Sequence, residues 1–321
     1  MRIKSNRSQL VLVSVIITAL LITAGAAGCS ASAVESTAEP TGYSFTDSAG
    51  RLVSLENRPE RVVAAEGSFA EIWTLAGGKV IGIPEDVVTD IRMTVTPNMT
   101  ITGTIKDPNA EIILGLKPDF VILAEDIESH SRLALILEQN QIPFAFFKVE
   151  FFSDYLQVLK TFTDLTGNPE LYELYGSGIE INIQDILDRT KDQPRPTVLL
   201  IRASAKGAKA KNAENATGAM LSELGADNIA DRYPSLLEDM SLEQVIMEDP
   251  DFILITTMGS EEQAMSYLET GIMANPAWNS LSAVDNQHVI VLPKDLFHYK
   301  PNARWDEAYE YLAEVLYPEA G

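Results

Sequence analysis

A thirteen-residue motif occurs twice in the chain, as EIILGLKPDFVIL at residues 111–123 and as EQVIMEDPDFILI at residues 243–255. At one constant offset the two copies share Glu, Pro, Asp and Phe, and several other positions exchange one branched aliphatic residue for another. Each copy is typical of a helix that stops before Pro-Asp and is followed by a buried strand. We therefore predict two equivalent structural units, with Glu111 and Glu243 at matching places near the first turn of a helix.

Short apolar runs rich in Val, Ile and Phe lie on both sides of the motif and alternate with helical patterns. The predicted strands are 61–65, 79–83, 119–124, 142–147, 197–202, 251–257 and 288–292. The predicted helices include 68–76, 109–116, 131–140, 218–224, 242–248 and 303–316. Strands that alternate with helices in this way predict an α/β fold with largely parallel sheets.

The middle of the chain, residues 153–191, carries no strand signal. Its apolar residues recur at spacings of three and four: Tyr172, Tyr175, Ile179, Ile183 and Ile186. This spacing predicts one amphipathic helix of about six turns, preceded by a shorter helix that ends near Gly167. An ordinary crossover helix is the alternative, but its place between two strand–helix sets favours a connector. The predicted fold is two Rossmann-like lobes, 45–152 and 194–321, joined by the helices of 153–193.

The composition excludes several functions. The chain has 321 residues, with 46 Asp and Glu against 24 Lys and Arg. Such an acidic surface repels nucleic acid and anionic lipid, so neither is expected as a main partner. Cys29 is the single cysteine and there are three histidines, which excludes an internal disulfide and a cysteine zinc cluster and disfavours a multi-histidine metal site.

No enzyme signature stands out in the sequence. We find no nucleophile elbow, phosphate loop, dinucleotide-binding glycine pattern or zincin motif, and therefore predict a protein that is not an enzyme. A lipid-anchored hydrolase that uses paired carboxylates is the alternative from another class.

The first 28 residues are typical of a secretory signal. Basic residues in Met1–Arg7 precede an apolar run, Leu10–Ala24, that ends in small residues. A permanent transmembrane anchor is the alternative, because Leu10–Gly28 is just long enough to span a bilayer. Gly28-Cys29 resembles the bacterial lipobox, although Ala26 stands where that motif usually has Leu.

The lipobox resemblance implies that Cys29 is lipidated and becomes the mature N-terminus. A chance cysteine at the end of a signal peptide is the alternative. The Ser-, Ala- and Pro-rich residues that follow predict a flexible tether, so we assign 29–44 to the lipid anchor and tether. The protein is then expected outside the cytoplasm, on the outer face of the cell membrane.

Several segments, one of them inside the first copy of the motif, carry a family resemblance: RPERVV at 58–63, SFAE at 68–71, LKPD at 116–119, LGADNI at 224–229, and the end of the chain from 278 to 318. Together they resemble the class III substrate-binding proteins of ABC importers, which bind ferric siderophores, haem or vitamin B12. The resemblance implies a monomer without a resident cofactor, with its ligand between the lobes. It also implies that Glu111 and Glu243 dock onto arginines of the membrane permease.

The ligand-contacting residues are expected in the loops that follow the strands, because open α/β sheets bind ligands beyond the carboxyl ends of their strands. In the first lobe these are Glu66, Ser68 and Glu125. In the second lobe, Arg202 is followed by Lys206, Lys209 and Lys211 in a segment that we predict to be a loop. Such a cationic cluster in an acidic chain favours an anionic chelate, whereas a solvated surface loop is the alternative.

Aromatic and iron-ligating residues complete the predicted site. Phe297, His298, Tyr299 and Arg304 offer aromatic surface and a guanidinium to a bulky ligand, although Arg304 and its neighbour Trp305 could instead pack within a helix. Met258 and His298 would ligate iron only if the ligand is haem. We therefore predict a lipoprotein receptor that delivers a ferric siderophore to an ABC permease, with haem and cobalamin as alternative ligands.

Overall fold

The structure is a computed structural model that describes residues 42–90, 93–238 and 240–318. The predicted signal segment, Cys29 and most of the predicted tether lie outside these residues. Within the described ranges, no helix combines the length and apolar character that crossing a membrane requires.

Short strands recur along the described part of the chain. They are β1 Tyr43–Thr46, β2 Leu52–Leu55, β3 Val62–Ala64, β4 Val80–Ile83, β5 Thr100–Ile101, β6 Gly103–Thr104, β7 Asp107–Pro108, β8 Phe120–Ala124, β9 Phe144–Phe147, β10 Thr197–Ser204, β11 Gly207–Lys211, β12 Asp227–Asn228, β13 Phe252–Met258 and β14 Val289–Val291. All seven predicted strands are present, each within a few residues of its expected bounds.

Helices are interspersed with these strands along the chain. They are α1 Gly67–Leu75, α2 Asp86–Asp90, α3 Ala110–Gly115, α4 Glu128–Gln139, α5 Phe152–Thr166, α6 Pro169–Tyr172, α7 Gly178–Thr190, α8 Ala216–Glu223, α9 Ile229–Arg232, α10 Ser235–Glu238, α11 Leu242–Glu248, α12 Glu261–Thr270, α13 Ser282–Asp285, α14 Lys294–Phe297 and α15 Trp305–Leu316. A π-helical turn, Glu173–Ser177, joins α6 to α7, and 3₁₀ turns span Ile272–Ala274, Pro276–Ser280 and Asn302–Arg304.

The first sheet is parallel throughout and has the strand order β5-β4-β3-β8-β9. All five residues of its β8 strand are buried, as expected where helices cover both faces of a parallel sheet. An antiparallel hairpin of β1 and β2 precedes it. This hairpin was not predicted, and β1 begins at Tyr43, inside the segment predicted to be a tether.

The second sheet has the order β11-β10-β13-β14, with β12 also paired to β10. Its β10, β13 and β14 strands are parallel, whereas β11 runs antiparallel to β10. The prediction of a loop after Arg202 is therefore wrong. The chain turns at Ala205-Lys206 and returns as β11, with Ala210 buried against the core and Arg202 directly opposite Lys209.

Both copies of the motif adopt the same local structure. The helix of each copy begins after a capping side chain: Asn109 Oδ1 accepts a hydrogen bond from the backbone N–H of Ile112 (3.1 Å), and Ser241 Oγ accepts one from Gln244 (3.4 Å). The residue before each Pro-Asp pair, Lys117 or Asp249, has a positive φ, of 49° and 41° respectively. This left-handed residue ends the helix and turns the chain into the strand.

The aspartate of each motif ties two parallel strands together at their starts. Asp119 accepts hydrogen bonds from the backbone N–H groups of Glu60 and Arg61, both at 2.9 Å, just before β3. Asp251 accepts from the N–H and hydroxyl of Thr197, at 2.8 and 2.7 Å, at the start of β10. Since β3 pairs with β8 and β10 with β13, the motif performs one structural task in each sheet.

The long connecting helix is confirmed. The shorter α5 ends at Gly167, whose φ of 72° only glycine adopts readily, and a helical run then extends from Pro169 through the π-helical turn to Thr190. The Tyr155 hydroxyl of α5 donates to the Tyr175 carbonyl inside that turn (2.8 Å). Buried α7 side chains share one hydrophobic cluster with residues of both sheets, so the helix is packed into the body of the protein.

Candidate functional site

A cavity of about 210 Å³ lies where the strand ends of the first sheet face the segment that follows β14. It is lined by residues from both parts of the chain, among them Glu66, Ser68, Asp86, His298, Tyr299 and Lys300. Glu66 and Ser68 follow β3, Asp86 follows β4, and the other three come after α14. The structure thus brings together four of the residues predicted from sequence: Glu66, Ser68, His298 and Tyr299.

Asn302 holds the two sides of this cavity together. Its side chain is fully buried, and its backbone has a φ of 52°. The Asn302 amide donates to Glu71 Oε2 (2.7 Å) and to the Ser68 carbonyl (3.3 Å), while the Ser68 hydroxyl donates to Asn302 Oδ1 (3.2 Å). The segment that carries His298, Tyr299 and Lys300 is therefore pinned to the start of α1.

The first-sheet side of the cavity is acidic. A Cβ on Gly67 would lie 2.6 Å from Asp86 Oδ2, so only glycine lets the Asp86 carboxylate approach this closely. Gly67 is the first residue of α1, where the helix dipole favours a negative charge. The Asp86 carboxylate therefore lies close to the start of α1 and adds to the negative charge on this side of the cavity.

Glu66 is a residue of this cavity whose pKa is strongly raised. Burial, and after it the negative charges of Asp126 and Asp86, raise the pKa of Glu66 from 4.5 to about 7, while Lys300 opposes the shift. Glu66 therefore exchanges a proton near neutral pH in the ligand-free protein.

The cations predicted after β10 lie on the hairpin of β10 and β11. Arg202 is the direct cross-strand partner of Lys209, and Lys211 lies two residues further along, so all three share one face of the sheet. Burial and then the neighbouring Arg202 and Lys209 lower the pKa of Lys211, while Glu150 opposes this. We call Arg202, Lys209 and Lys211 the cationic face. Lys206 lies apart from it, exposed in the turn.

A larger groove of about 620 Å³ adjoins the cavity through an ion pair. Its lining includes Lys148 and Glu150 from the first lobe, Asp154 of α5, and Glu214, which follows β11. Glu150 Oε2 lies 3.5 Å from Lys300 Nζ, and Lys300 lines the cavity. The two depressions therefore meet at the Glu150–Lys300 pair.

Two of the predicted ligand contacts have other roles in the structure. Phe297 requires correction, because its ring is 6% exposed and packs in the core, with its centroid 5.7 Å from that of Tyr311. The Arg304 guanidinium is bound by Glu307 and Asp295, each at 2.8 Å, and both carboxylates raise its pKa. Trp305 is buried, as the helix-packing alternative expected.

Met258 and Glu125 also lie outside the described lining of the cavity. Met258 ends β13 opposite Ser204 and is 47% exposed, so the structure does not place it beside His298 at the cavity. Glu125 is exposed, and its neighbour Asp126 is the residue whose charge acts on Glu66. Among the described residues, no group of three or more His, Cys, Asp or Glu side chains could hold a metal ion.

Sequence reasoning missed Asp86, Glu150, Lys300 and Asn302. The first two follow β4 and β9, so the rule that placed Glu66 could also have found them. Lys300 is adjacent to the predicted Tyr299. No sequence signal marks Asn302, because its role depends on a left-handed backbone and on contacts with α1.

Glu111 and Glu243 occupy matching places outside the cavity. Each lies in the first turn of its helix, two residues after the capping residue, and each is exposed. Neither forms an ion pair among the described residues that would hold it to its own lobe.

Comparison with known proteins agrees with this architecture. A family model described as periplasmic binding protein matches residues 62–296. The Fe(3+) dicitrate-binding periplasmic protein FecB of Escherichia coli is 24% identical over 244 residues, which cover 74% of this chain and 77% of that protein. The Fe(3+)-citrate-binding protein YfmC of Bacillus subtilis is 26% identical, with 92% of each chain covered.

A solved structure shows the same fold. The structure of Staphylococcus aureus IsdE complexed with heme superposes with a TM-score of 0.65 at 17% identity and covers 80% of this chain and 98% of its own. This confirms the predicted α/β fold with two lobes, which is that of class III substrate-binding proteins. The chain therefore belongs to the periplasmic binding protein family and is a binding protein rather than an enzyme.

Proposed function

We propose that this protein is the receptor of an ABC importer and that it captures a ferric chelate at the lobe boundary for delivery to a permease. The observation that carries this proposal is the cleft itself. Loops at the strand ends of the first sheet and the segment after β14 border two adjoining depressions. Glu150, which lines the larger one, acts electrostatically on Lys211 of the cationic face. Open α/β sheets bind their ligands at such strand ends.

The cationic face indicates the chemical class of the ligand. Guanidinium and ammonium groups bind carboxylates through charge-assisted hydrogen bonds, and three such groups share one face of the hairpin. Two relatives, FecB and YfmC, are named for binding iron citrate. We therefore propose a ferric chelate that carries free carboxylates, with ferric citrate as the probe. Glu66, Ser68 and Tyr299 would contact the part of the chelate that faces the first lobe.

Haem is the second candidate ligand, because His298 lines the cavity and a structural relative, IsdE, was solved with heme. The exposed Met258 does not line that cavity, so ligation by both predicted residues is not supported by the described geometry. Cobalamin remains a third candidate on the sequence resemblance alone.

The permease would meet the exposed surfaces that carry Glu111 and Glu243. Their equivalent, exposed positions allow two ion pairs with arginines of a partner, one from each lobe. Exposed ion pairs contribute only about 0–1 kcal/mol each. They would orient the receptor, while a lipid on Cys29 would raise its local concentration at the membrane.

Titration of the purified protein with a panel of ligands tests this function. Tryptophan fluorescence would be followed while ferric citrate, a ferric trihydroxamate, haemin or cobalamin is added, with iron-free citrate as the control. We expect saturable quenching by ferric citrate and none by iron-free citrate at the same concentration. A Soret band that is abolished by His298→Ala, with no response to ferric chelates, would instead establish haem as the ligand.

A further inference from the structure

The ion pair between Glu150 and Lys300 separates the two depressions of the cleft. Lys300 lines the smaller cavity, Glu150 lines the larger groove, and the two residues come from opposite lobes. Their side chains are 29% and 31% exposed, so both reach water and the pair can open without unfolding its surroundings.

Glu150 is fixed in this position by its backbone. The N–H groups of Glu150 and Phe151 both donate to Asp154 Oδ2, at 2.9 Å each, which anchors the residue at the start of α5. From there its carboxylate reaches Lys300 and also acts on Lys211 of the cationic face. One carboxylate of the protein thus interacts both with Lys300 of the cavity and with Lys211 of the cationic face.

The size of the cavity indicates what must happen when a ligand binds. Small-molecule sites in proteins typically enclose about 300–1,000 Å³, which exceeds the 210 Å³ on the Lys300 side. A chelate that occupies the Lys300 side therefore extends past the ion pair toward the larger groove. A ligand carboxylate placed there would compete with Glu150 for Lys300 and for the cationic face.

We propose that Glu150 is a specificity-determining residue: in the free receptor its carboxylate holds the place that a carboxylate of the bound chelate takes. Binding transfers Lys300 from Glu150 to the ligand. A chelate with free carboxylates replaces the lost ion pair, whereas a chelate without them breaks the pair and gains nothing in return. This inference rests on the proposed binding of a ferric chelate at the lobe boundary.

Calorimetric titrations at low ionic strength test the inference. Ferric citrate and a ferric trihydroxamate without carboxylates would be titrated into the wild type and into Glu150→Gln. Glu214→Gln serves as the matched control, because it removes one negative charge from the same groove. We expect Glu150→Gln to tighten ferric citrate binding by about 3- to 10-fold, and Glu214→Gln to change it by less than about 2-fold.

The Lys300→Gln substitution, made in the wild type and in Glu150→Gln, completes a double-mutant cycle. We expect it to weaken ferric citrate binding more in Glu150→Gln than in the wild type, since the Glu150 carboxylate no longer competes with the ligand for Lys300 in that variant. Glu150→Ala provides a second variant, and circular dichroism verifies that each variant is folded.

The possible outcomes separate the inference from the proposed function. Equal affinities of Glu150→Gln, Glu214→Gln and the wild type for ferric citrate, or weaker binding by Glu150→Gln, would overturn the inference and leave the function standing. Failure of the folded wild type to bind any ferric chelate would overturn both.

Discussion

Glu66 shows how one buried carboxyl group couples the ligand cavity to the stability of the protein. Glu66 lines the cavity, where the charges of Asp126 and Asp86 raise its pKa and the charge of Lys300 lowers it. In the folded protein it therefore retains a proton that the unfolded chain releases. Once ionised, Glu66 lowers the free energy of unfolding, and this effect is complete above neutral pH. Such shifted pKa values are common for ionisable groups at binding sites.

We predict a pH-dependent effect of Glu66→Gln on stability. Between pH 4.5 and about 7 the folded state binds more protons at Glu66 than the unfolded state does, so this group lowers the free energy of unfolding as the pH rises. Glutamine removes that dependence. In urea titrations without ligand, the stability of the variant relative to wild type should increase by about 1–3 kcal/mol from pH 5 to pH 8.

Glu125→Gln, which removes an exposed carboxylate, provides the control for this experiment and is measured at the same two pH values. A difference in stability between Glu66→Gln and wild type that does not change from pH 5 to pH 8 would show that the pKa of Glu66 is not raised in the folded state.

At the scale of single elements, the Pro-Asp pair explains why the motif recurs. Its aspartate satisfies N–H groups at the start of the neighbouring parallel strand, where no further strand residue is available to accept them. The two copies differ in one detail. Asp119 uses both carboxylate oxygens, one for each N–H group, whereas Asp251 accepts both of its bonds from Thr197 at Oδ2.

We predict that asparagine is tolerated better at position 251 than at position 119. The single amide oxygen of Asp251→Asn can accept both bonds from Thr197, but Asp119→Asn must turn its NH₂ group toward an N–H donor. Urea denaturation should show Asp119→Asn to be less stable than Asp251→Asn by about 0.5–1.5 kcal/mol. Equal losses would indicate that the two aspartates do not have these separate bonding patterns.

The β10–β11 hairpin shows where element prediction from sequence fails. The residues Ala203 to Lys211 are Ala, Ser, Gly and Lys, all of low strand propensity, so the segment resembles a loop. Their alternation becomes informative only once β10 is available as a partner, because Ala210 then faces the core while Lys209 and Lys211 face outward with Arg202. The cationic residues were identified from sequence, but their common face depends on the hairpin register.

At the scale of the whole molecule, the sequence predicted the architecture better than it predicted the cleft. Strand–helix alternation, the repeated motif and the long helix are local patterns, and each of them is present in the structure. The cleft depends on contacts between residues more than 200 positions apart, such as Ser68 with Asn302, which no local pattern encodes. Phe297 illustrates the same limit, since an aromatic residue near a strand end can face the core as readily as the ligand.

The matching positions of the two motif glutamates lead to a prediction for transport. Glu111→Arg and Glu243→Arg should each reduce iron uptake by about 2- to 10-fold in cells that carry the cognate permease, and the double variant should reduce it further. Ferric chelate affinity of the purified proteins should stay at the wild-type value, because both residues lie outside the cavity lining.

Another exposed helix residue provides the control for transport. Glu138→Arg, in the last turn of α4, makes the same change of charge at an exposed residue that lies outside both copies of the motif. Equal uptake by Glu138→Arg, Glu111→Arg and Glu243→Arg would show that the motif glutamates have no particular part in docking.

We propose that a ferric chelate binds at the boundary of the two lobes, and anomalous diffraction at the iron edge from crystals grown with ferric citrate locates the bound iron. We predict one iron peak between the cavity lined by Ser68, Tyr299 and Lys300 and the cationic face that carries Arg202 and Lys209. An iron peak confined to the outer surface of either lobe, or an empty cleft in crystals of protein that binds the chelate in solution, would contradict that claim.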